Sequence, residues 1–115
     1  MNVMELYRDF NVVIEEKKIR IKGILLPFIS EAGLEEADII SIELVDLSLF
    51  NRLNPLGTQD LRVWWCFDPL KIKRKKGIVI TIDKGIKTLK AIGFTCNDIE
   101  GVYEILKEVF PEKIL

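Results

Sequence analysis

The residues with the clearest capacity for chemistry are cations that cluster in one short segment. Ammonium and guanidinium groups attract phosphates, so such a segment could contact an anionic membrane surface or a phosphate-bearing ligand. A solvated hairpin loop that binds nothing is the alternative. The whole chain carries 17 basic and 18 acidic side chains, and this net charge of -1 argues against an obligate nucleic-acid binder. The basic residues fill five of the six positions from 71 to 76 and are Lys71, Lys73, Arg74, Lys75 and Lys76.

Carboxylates are the second set of groups that could act in a site. Paired carboxylates can bind a metal or transfer protons. These show no metal-ligand spacing, and aspartate is also common at turns because it hydrogen-bonds to nearby backbone. The sequence has no histidine, which excludes catalytic triads and dyads that use one. We therefore expect a protein that is not an enzyme and holds no metal or cofactor, with a small carboxylate- and metal-dependent enzyme as an alternative. The aspartates at predicted strand ends are Asp46, Asp60, Asp68 and Asp83.

Cysteine and tryptophan each offer one more candidate. Cys66 and Cys96 have no redox or metal spacing, so we expect free thiols that act as small hydrophobic residues. Consecutive strand residues face opposite sides, which predicts that Trp65 lies in the core and Trp64 on the other face. Beside Arg62, Trp64 could anchor an interface, or it could be covered by the predicted loop at residues 51–59.

The elements that must position these groups are mostly strands. Apolar and polar residues alternate at period two between about residues 7 and 95, which indicates half-buried β-strands. Residues 34–37 favour a short turn followed by a strand, although the apolar spacing of residues 34–47 also permits a helix. Pro27 predicts an edge or bent strand, a phase slip at residues 45–47 predicts a bulge, and residues 83–85 predict a hairpin turn. The predicted strands are residues 10–14, 18–22, 25–29, 39–47, 61–67, 78–82 and 86–95.

The period changes to 3.6 near the end of the chain. One apolar stripe predicts an amphipathic helix over about residues 98–110, stopped by Pro111. Asn97 and Glu100 resemble a capping box at its start. The stripe consists of Ile99, Val102, Tyr103, Leu106, Val109 and Phe110.

Length and targeting signals limit the protein class. The 115 residues fit one domain, which we expect to span positions 1–115. Acidic residues interrupt the N-terminus early, so it does not resemble a signal or transit peptide. Apolar runs are far shorter than the roughly twenty residues of a membrane span. These features predict a cytoplasmic protein.

Seven strands followed by one helix resemble a known family. The stretches that carry the resemblance are Lys18 to Gly23, Leu34 to Ile42, Leu61 to Trp65, and Ile92 to Asp98. Together they are similar to pleckstrin-homology-like (PH-like) domains, in particular the prokaryotic ones. The resemblance implies a mainly β fold, a seven-stranded antiparallel barrel or half-sandwich capped by the C-terminal helix.

The same resemblance implies a function in binding. It suggests a non-enzymatic interaction module whose partner is another protein or a second copy, held through an edge strand or the Trp64 surface. Lys18-Ile19-Arg20 resembles the second half of the phosphate-binding motif of such domains, whereas Glu15 and Glu16 in the turn would repel a phosphate. The alternative is a solvated strand face on which these cations pair with glutamates across the hairpin.

Overall fold

The structure is a computed structural model that describes residues 5–9, 11–25, 29–47, 63–66, 73–86 and 89–115. Over these residues the protein is mainly β, with two sheets and one C-terminal helix. The first sheet contains, in spatial order, β1 (Glu5–Arg8), β2 (Val12–Glu15), β3 (Lys18–Leu25) and β4 (Ile29–Glu35). The second contains β5 (Ile39–Asp46), β7 (Lys76–Ile86), β8 (Leu89–Phe94) and β6 (Trp64–Trp65). The described strands form two separate sheets and do not close into one barrel.

The predicted first hairpin is confirmed, because β2 and β3 pair antiparallel around Glu16 and Lys17. Its inward residues Ile14 and Ile19 pair with each other and are fully buried. The alternation predicts Val13 on the outer face, yet it is fully buried as well. It lies opposite Arg8 of β1, the strand that pairs with β2 on the side away from β3.

The prediction of a separate strand at residues 25–29 is wrong. β3 continues through Gly23 to Leu25, and β4 begins at Ile29. The pairing shifts between Lys22 and Leu25, so an irregularity at the glycine absorbs the interruption without ending the strand. Pro27 lies outside the described residues.

The strand expected after the turn is confirmed and the helical alternative is not formed, but the turn expected at residues 34–37 starts two residues later, because β4 continues to Glu35. A 3-10 turn over Glu36–Asp38 leads directly into β5. The expected bulge at residues 45–47 is misplaced, because the pairing with β7 is regular from Ser41 to Asp46 and shifts between Ile39 and Ser41. The extra residue, Ile40, is 53% exposed because it falls at this shift.

The strand around the tryptophans is shorter than expected and runs in the other direction. Among residues 63–66 only Trp64 and Trp65 form a strand, and they pair parallel with Ile92 and Gly93 of β8. A parallel neighbour requires a crossover connection, which hydrophobic alternation does not encode. The predicted turn at residues 83–85 is also wrong, since β7 continues to Ile86 and pairs there with Leu89.

Helix α1 (Ile99–Val109) agrees with the predicted amphipathic helix. The helix residues Val102 and Leu106 are buried, and so is Phe110, which follows the helix. The N-cap is Asp98 and not the expected Asn97, because the Asp98 carboxylate accepts a hydrogen bond from the Gly101 amide at 3.1 Å. None of the described helices is both long and apolar enough to span a membrane.

The core lies between the two sheets and α1. Trp65 is 5% exposed, as predicted, and its ring covers two glycines, Gly77 on β7 and Gly93 on β8. A Cβ on Gly93 would lie 2.5 Å from Cε3 of Trp65, so the close approach requires glycine. Cys66 and Cys96 are buried free thiols, as expected. The largest fully buried side chains are Phe94, Phe110, Ile14, Ile19, Ile21, Ile39, Ile42, Ile78, Ile80 and Ile92.

Candidate functional site

The basic segment lies beside the beginning of α1. Lys73 and Lys75 are exposed, whereas Arg74 and Lys76 are half-buried; Lys71 lies outside the described residues. Between the segment and the helix is an open groove of about 330 Å³. We call it the charged groove; its lining residues are Lys73, Arg74, Lys75, Lys76, Cys96, Asn97, Asp98, Ile99 and Glu100.

Two of the groove's cations already contact the opposite wall. A terminal nitrogen of Arg74 donates to the Asn97 side-chain oxygen at 3.0 Å, and the Lys76 ammonium lies 3.4 Å from a Glu100 carboxylate oxygen. The Lys76 and Glu100 side chains are 39% and 70% exposed, so this ion pair contributes less than about 1 kcal/mol. The contacts direct two positive groups toward the helix and leave Lys73 and Lys75 at the rim.

Carboxylates limit what the charged groove can bind. A helix N-terminus attracts anions, but Asp98 caps this one and Glu100 stands in its first turn. An incoming phosphate would meet both carboxylates before it reached the helix amides. The chemistry therefore favours an anion held by Lys73 and Lys75 at the rim.

A hydrogen-bonded network supports the groove from behind. The Tyr7 hydroxyl donates to the Oδ2 carboxylate oxygen of Asp9 at 2.8 Å, and the Asn97 backbone amide donates to the same oxygen at 2.9 Å. Burial, together with the hydrogen bond to Asp9, raises the pKa of Tyr7 above its ordinary value. Burial raises the pKa of Cys96 to about 12, so this thiol is protonated at neutral pH and is a poor nucleophile. The network joins β1 to the segment between β8 and α1, and sequence reasoning did not find it.

Lys18 and Arg20 lie away from the charged groove. Both are on β3 in the first sheet, and neither lines the groove. Arg20 Nε lies 2.8 Å from a Glu15 carboxylate oxygen across the hairpin, which is the pairing of the alternative interpretation. Lys18 extends across Gly33 of the neighbouring strand, so closely that its Cε would lie 2.6 Å from a Cβ added to that glycine. The two cations do not join the basic segment in one site.

The tryptophan surface is described only in part. The Trp64 backbone belongs to β6, but its side chain, Arg62 and the loop at residues 51–59 lie outside the described residues.

The two candidate aspartates that the structure describes, Asp46 and Asp83, lie far apart on the second sheet. Asp46 pairs with Lys76 at one end of the β5–β7 ladder, and Asp83 lies beyond its other end, where Ile82 pairs with Ile39. Asp60 and Asp68 lie outside the described residues. Within the described ones, no three His, Cys, Asp or Glu side chains could hold a metal together.

A second candidate site lies on the outer edge of β5, which sequence reasoning did not single out. The Leu115 amide donates to the Ile42 carbonyl at 2.9 Å, and Ile114 forms a parallel bridge with Ile42. The Tyr103 hydroxyl of α1 donates to the Leu115 carbonyl oxygen at 3.3 Å. Residues 114 and 115 therefore lie as a short extended segment between β5 and α1. Its only sequence signal is an apolar pair, Ile114 and Leu115, after Pro111.

Exposed apolar side chains concentrate at sheet edges. Among the described residues the exposed large hydrophobic ones are Leu6 on β1, Ile40 on β5 and Leu115 on the segment that pairs with β5. β1 and β5 are outer strands of their sheets. Such side chains beside unpaired backbone groups are typical of surfaces that pair with another strand.

Comparisons of the chain with protein-family models, with curated proteins and with solved structures find no match. The geometry of these two sites is therefore the basis for assigning a function.

Proposed function

We propose that this protein is a PH-like interaction module that binds an extended segment of another polypeptide along the outer edge of β5. The arrangement of the elements supports the PH-like assignment. A four-stranded antiparallel meander precedes an antiparallel β5–β7–β8 meander, and one helix follows both. The resemblance implies seven antiparallel strands before the helix, and β6, which pairs parallel with β8, is additional to that pattern.

One observation carries the binding mode: the edge of β5 already pairs with an extended segment. The Ile42 carbonyl accepts a hydrogen bond from Leu115 on the side opposite β7. Residues two apart in a strand direct their backbone groups to the same side, so Leu44 presents its amide and carbonyl to that side too. Main-chain hydrogen bonds along such an edge provide affinity in strand addition.

The remaining outer strands are less suited to this role. β1 has only four residues, its pairing shifts between Glu5 and Tyr7, and the Arg8–Glu5 ion pair lies on it. β4 contains a glycine, which disfavours pairing with another strand, and β6 has only two residues. By contrast, β5 has eight residues, about 26 Å of strand, and is regular from Ser41 onward.

Selection from a random heptapeptide library on the immobilised full chain tests the proposal. Enriched peptides are expected to be apolar at alternate positions and, in NMR titrations, to shift the amides of Ile42 and Leu44 most. The Arg8 amide on β1 is the internal control. Peptides that shift Arg8 instead, or a library that yields no binder, would contradict the β5 assignment.

A second copy of the chain could supply the extended segment. Pairing between two β5 edges predicts a dimer whose population rises with protein concentration. Sedimentation equilibrium measures this directly, and a monomer over the whole concentration range leaves a different protein as the partner.

The charged groove favours a second function, in which Lys73 and Lys75 bind a phosphate group or an anionic membrane surface. Its supporting observation is the position of these exposed cations on one rim of a 330 Å³ groove. Flotation with vesicles containing phosphatidylserine, at low and high salt, tests it, because screening weakens such contacts. The double variant Lys73→Glu, Lys75→Glu should abolish binding at low salt, whereas Lys17→Glu, Lys90→Glu at exposed sites elsewhere should retain most of it. Equal loss in both pairs would indicate attraction by charge alone.

A further inference from the structure

The edge of β5 is partly occupied by residues 114 and 115 of the same chain, which bears on the function proposed above. We propose that Ile114 and Leu115 act as a resident competitor for the β5 edge, an inference that rests on that proposed function. The partner would then be an extended, apolar segment that replaces them and runs in the same direction as β5.

The resident segment makes few contacts. It is held by one backbone hydrogen bond to Ile42, which is part of the parallel bridge, by one hydrogen bond from the Tyr103 hydroxyl, and by the packing of Ile114 against the core. Leu115 is 73% exposed, so its side chain contributes little burial. One hydrogen bond of this kind changes an equilibrium by about two- to tenfold. A partner that pairs with more of β5 would therefore displace the segment.

The preceding residues are held much more firmly, so release can be local. Phe110 is 1% exposed, and its amide donates to the Leu106 carbonyl at 2.8 Å. The Lys113 amide donates to the Phe110 carbonyl at 3.0 Å and closes the 3-10 turn Pro111–Lys113. The segment that can leave β5 therefore begins after Lys113, and its release removes the partly buried Ile114 from the core while the fully buried side chains stay in place.

The contacts of the resident segment define what a partner must offer. Its backbone amide would donate to the Ile42 carbonyl, and its carbonyl would accept from Tyr103. Ile114 packs against the hydrophobic core, so the equivalent partner residue must be apolar. The parallel Ile42–Ile114 bridge sets the direction of the incoming strand.

The variant Leu115→Pro tests the competition, because proline has no amide to donate to Ile42. Leu115→Ala is its matched control, since it keeps the amide and removes a mostly exposed side chain. The probe is an acetylated hexapeptide with the sequence of residues 110–115, titrated into each full-length protein and followed at the Ile42 and Leu44 amides. We expect Leu115→Pro to bind the peptide about fivefold more tightly than wild type, and Leu115→Ala to match wild type.

Tyr103→Phe provides a second, independent variant. The Tyr103 hydroxyl would donate to whichever segment lies on β5, the resident one or the peptide. Removing this hydroxyl therefore weakens both, and the apparent affinity for the peptide should stay within about twofold of wild type. Equal peptide affinities in Leu115→Pro and wild type, with shifts along β5 in both, would overturn the competition and leave strand addition standing. If neither this peptide nor a library peptide shifts β5 amides in any variant, the proposed function itself fails.

Discussion

The charged groove and the β5 edge both present polar groups, but these groups differ in how they are satisfied. In the groove, the Asn97 side chain accepts a hydrogen bond from Arg74 and the Glu100 carboxylate offsets the charge of Lys76, so side chains of opposite walls satisfy one another. On the β5 edge, the Ile42 carbonyl has a direction set by the strand and is met by the backbone amide of Leu115. Flexible side chains can find partners within the molecule, whereas an outer strand needs another strand. The less charged surface is therefore the better candidate for specific binding.

Removing the anchor of the resident segment should have the largest effect. Phe110→Ala deletes a ring that is 1% exposed at the end of α1 and should destabilise the fold by about 3–5 kcal/mol. Urea unfolding measures the loss. The control, Leu115→Ala, should cost less than about 0.5 kcal/mol. A small loss for Phe110→Ala would mean that this ring does not anchor the 3-10 turn after α1. The distinction between a firmly held turn and a releasable segment at residues 114 and 115 would then be wrong.

A pair of glycine substitutions compares the two sheets. A methyl at Gly93 would lie 2.5 Å from Cε3 of the buried Trp65 ring, so Gly93→Ala should cost about 1–3 kcal/mol. At Gly33 the nearest atom, 2.6 Å away, belongs to the flexible Lys18 side chain, which can move aside. Gly33→Ala should therefore change stability by less than about 1 kcal/mol, because the reduced freedom of the unfolded chain offsets the cost of moving Lys18. Equal losses in thermal or urea unfolding would contradict this packing of Trp65.

Alkaline pH tests the network behind the groove. Because burial raises the pKa of Cys96 to about 12 from its ordinary value of 9.0, the folded state holds this proton more tightly than the unfolded state. The contribution of Cys96 to the free energy of unfolding is therefore fully present below about pH 9. It is lost as the pH rises toward 12, with a slope of about 1 kcal/mol per pH unit. The raised pKa of Tyr7 adds to the fall above its ordinary value of 10.0. Cys96→Ala should remove the Cys96 share of the slope in urea unfolding between about pH 7 and pH 10.5, and an unchanged slope would show that the thiol is not the group responsible.

The smallest expected effect on stability comes from the groove itself. Glu100→Gln breaks the exposed pair with Lys76 and should change the free energy of unfolding by less than about 0.5 kcal/mol. It also removes a carboxylate from the wall, so binding of phosphatidylserine vesicles at low salt should rise about two- to fivefold. Asp98→Asn is the companion variant, because asparagine keeps the N-cap while removing the charge. Unchanged vesicle binding in both variants would show that the groove does not bind anions.

Much of the fold follows from local patterns. The first hairpin, the strand through Ile78 and Ile80, and α1 are predictable because one face of each element is apolar and the other polar. Errors occur where pairing overrides the pattern. Gly23 lies inside β3, and β7 passes through residues 83–85, because ladder bonds on both sides of an irregularity keep a strand intact.

The candidate sites are less accessible to sequence reasoning. The basic segment is evident from its composition alone, but its contacts with Asn97 and Glu100 link residues far apart in the chain. Lys18 and Arg20 carry the same charge as this segment, yet they lie on the other sheet. The pairing of Leu115 with Ile42 leaves only a short apolar signal in the sequence.

By itself the sequence determined the class of the protein: amphipathic strands followed by one amphipathic helix, two free thiols, and a single dense group of cations. These features depend on residue type and on spacing over a few positions. Only the tertiary structure decided which described strands are outermost, which cations meet carboxylates, and that residues 114 and 115 lie against β5. Those outcomes depend on contacts between distant residues, which compete with one another and are settled by packing.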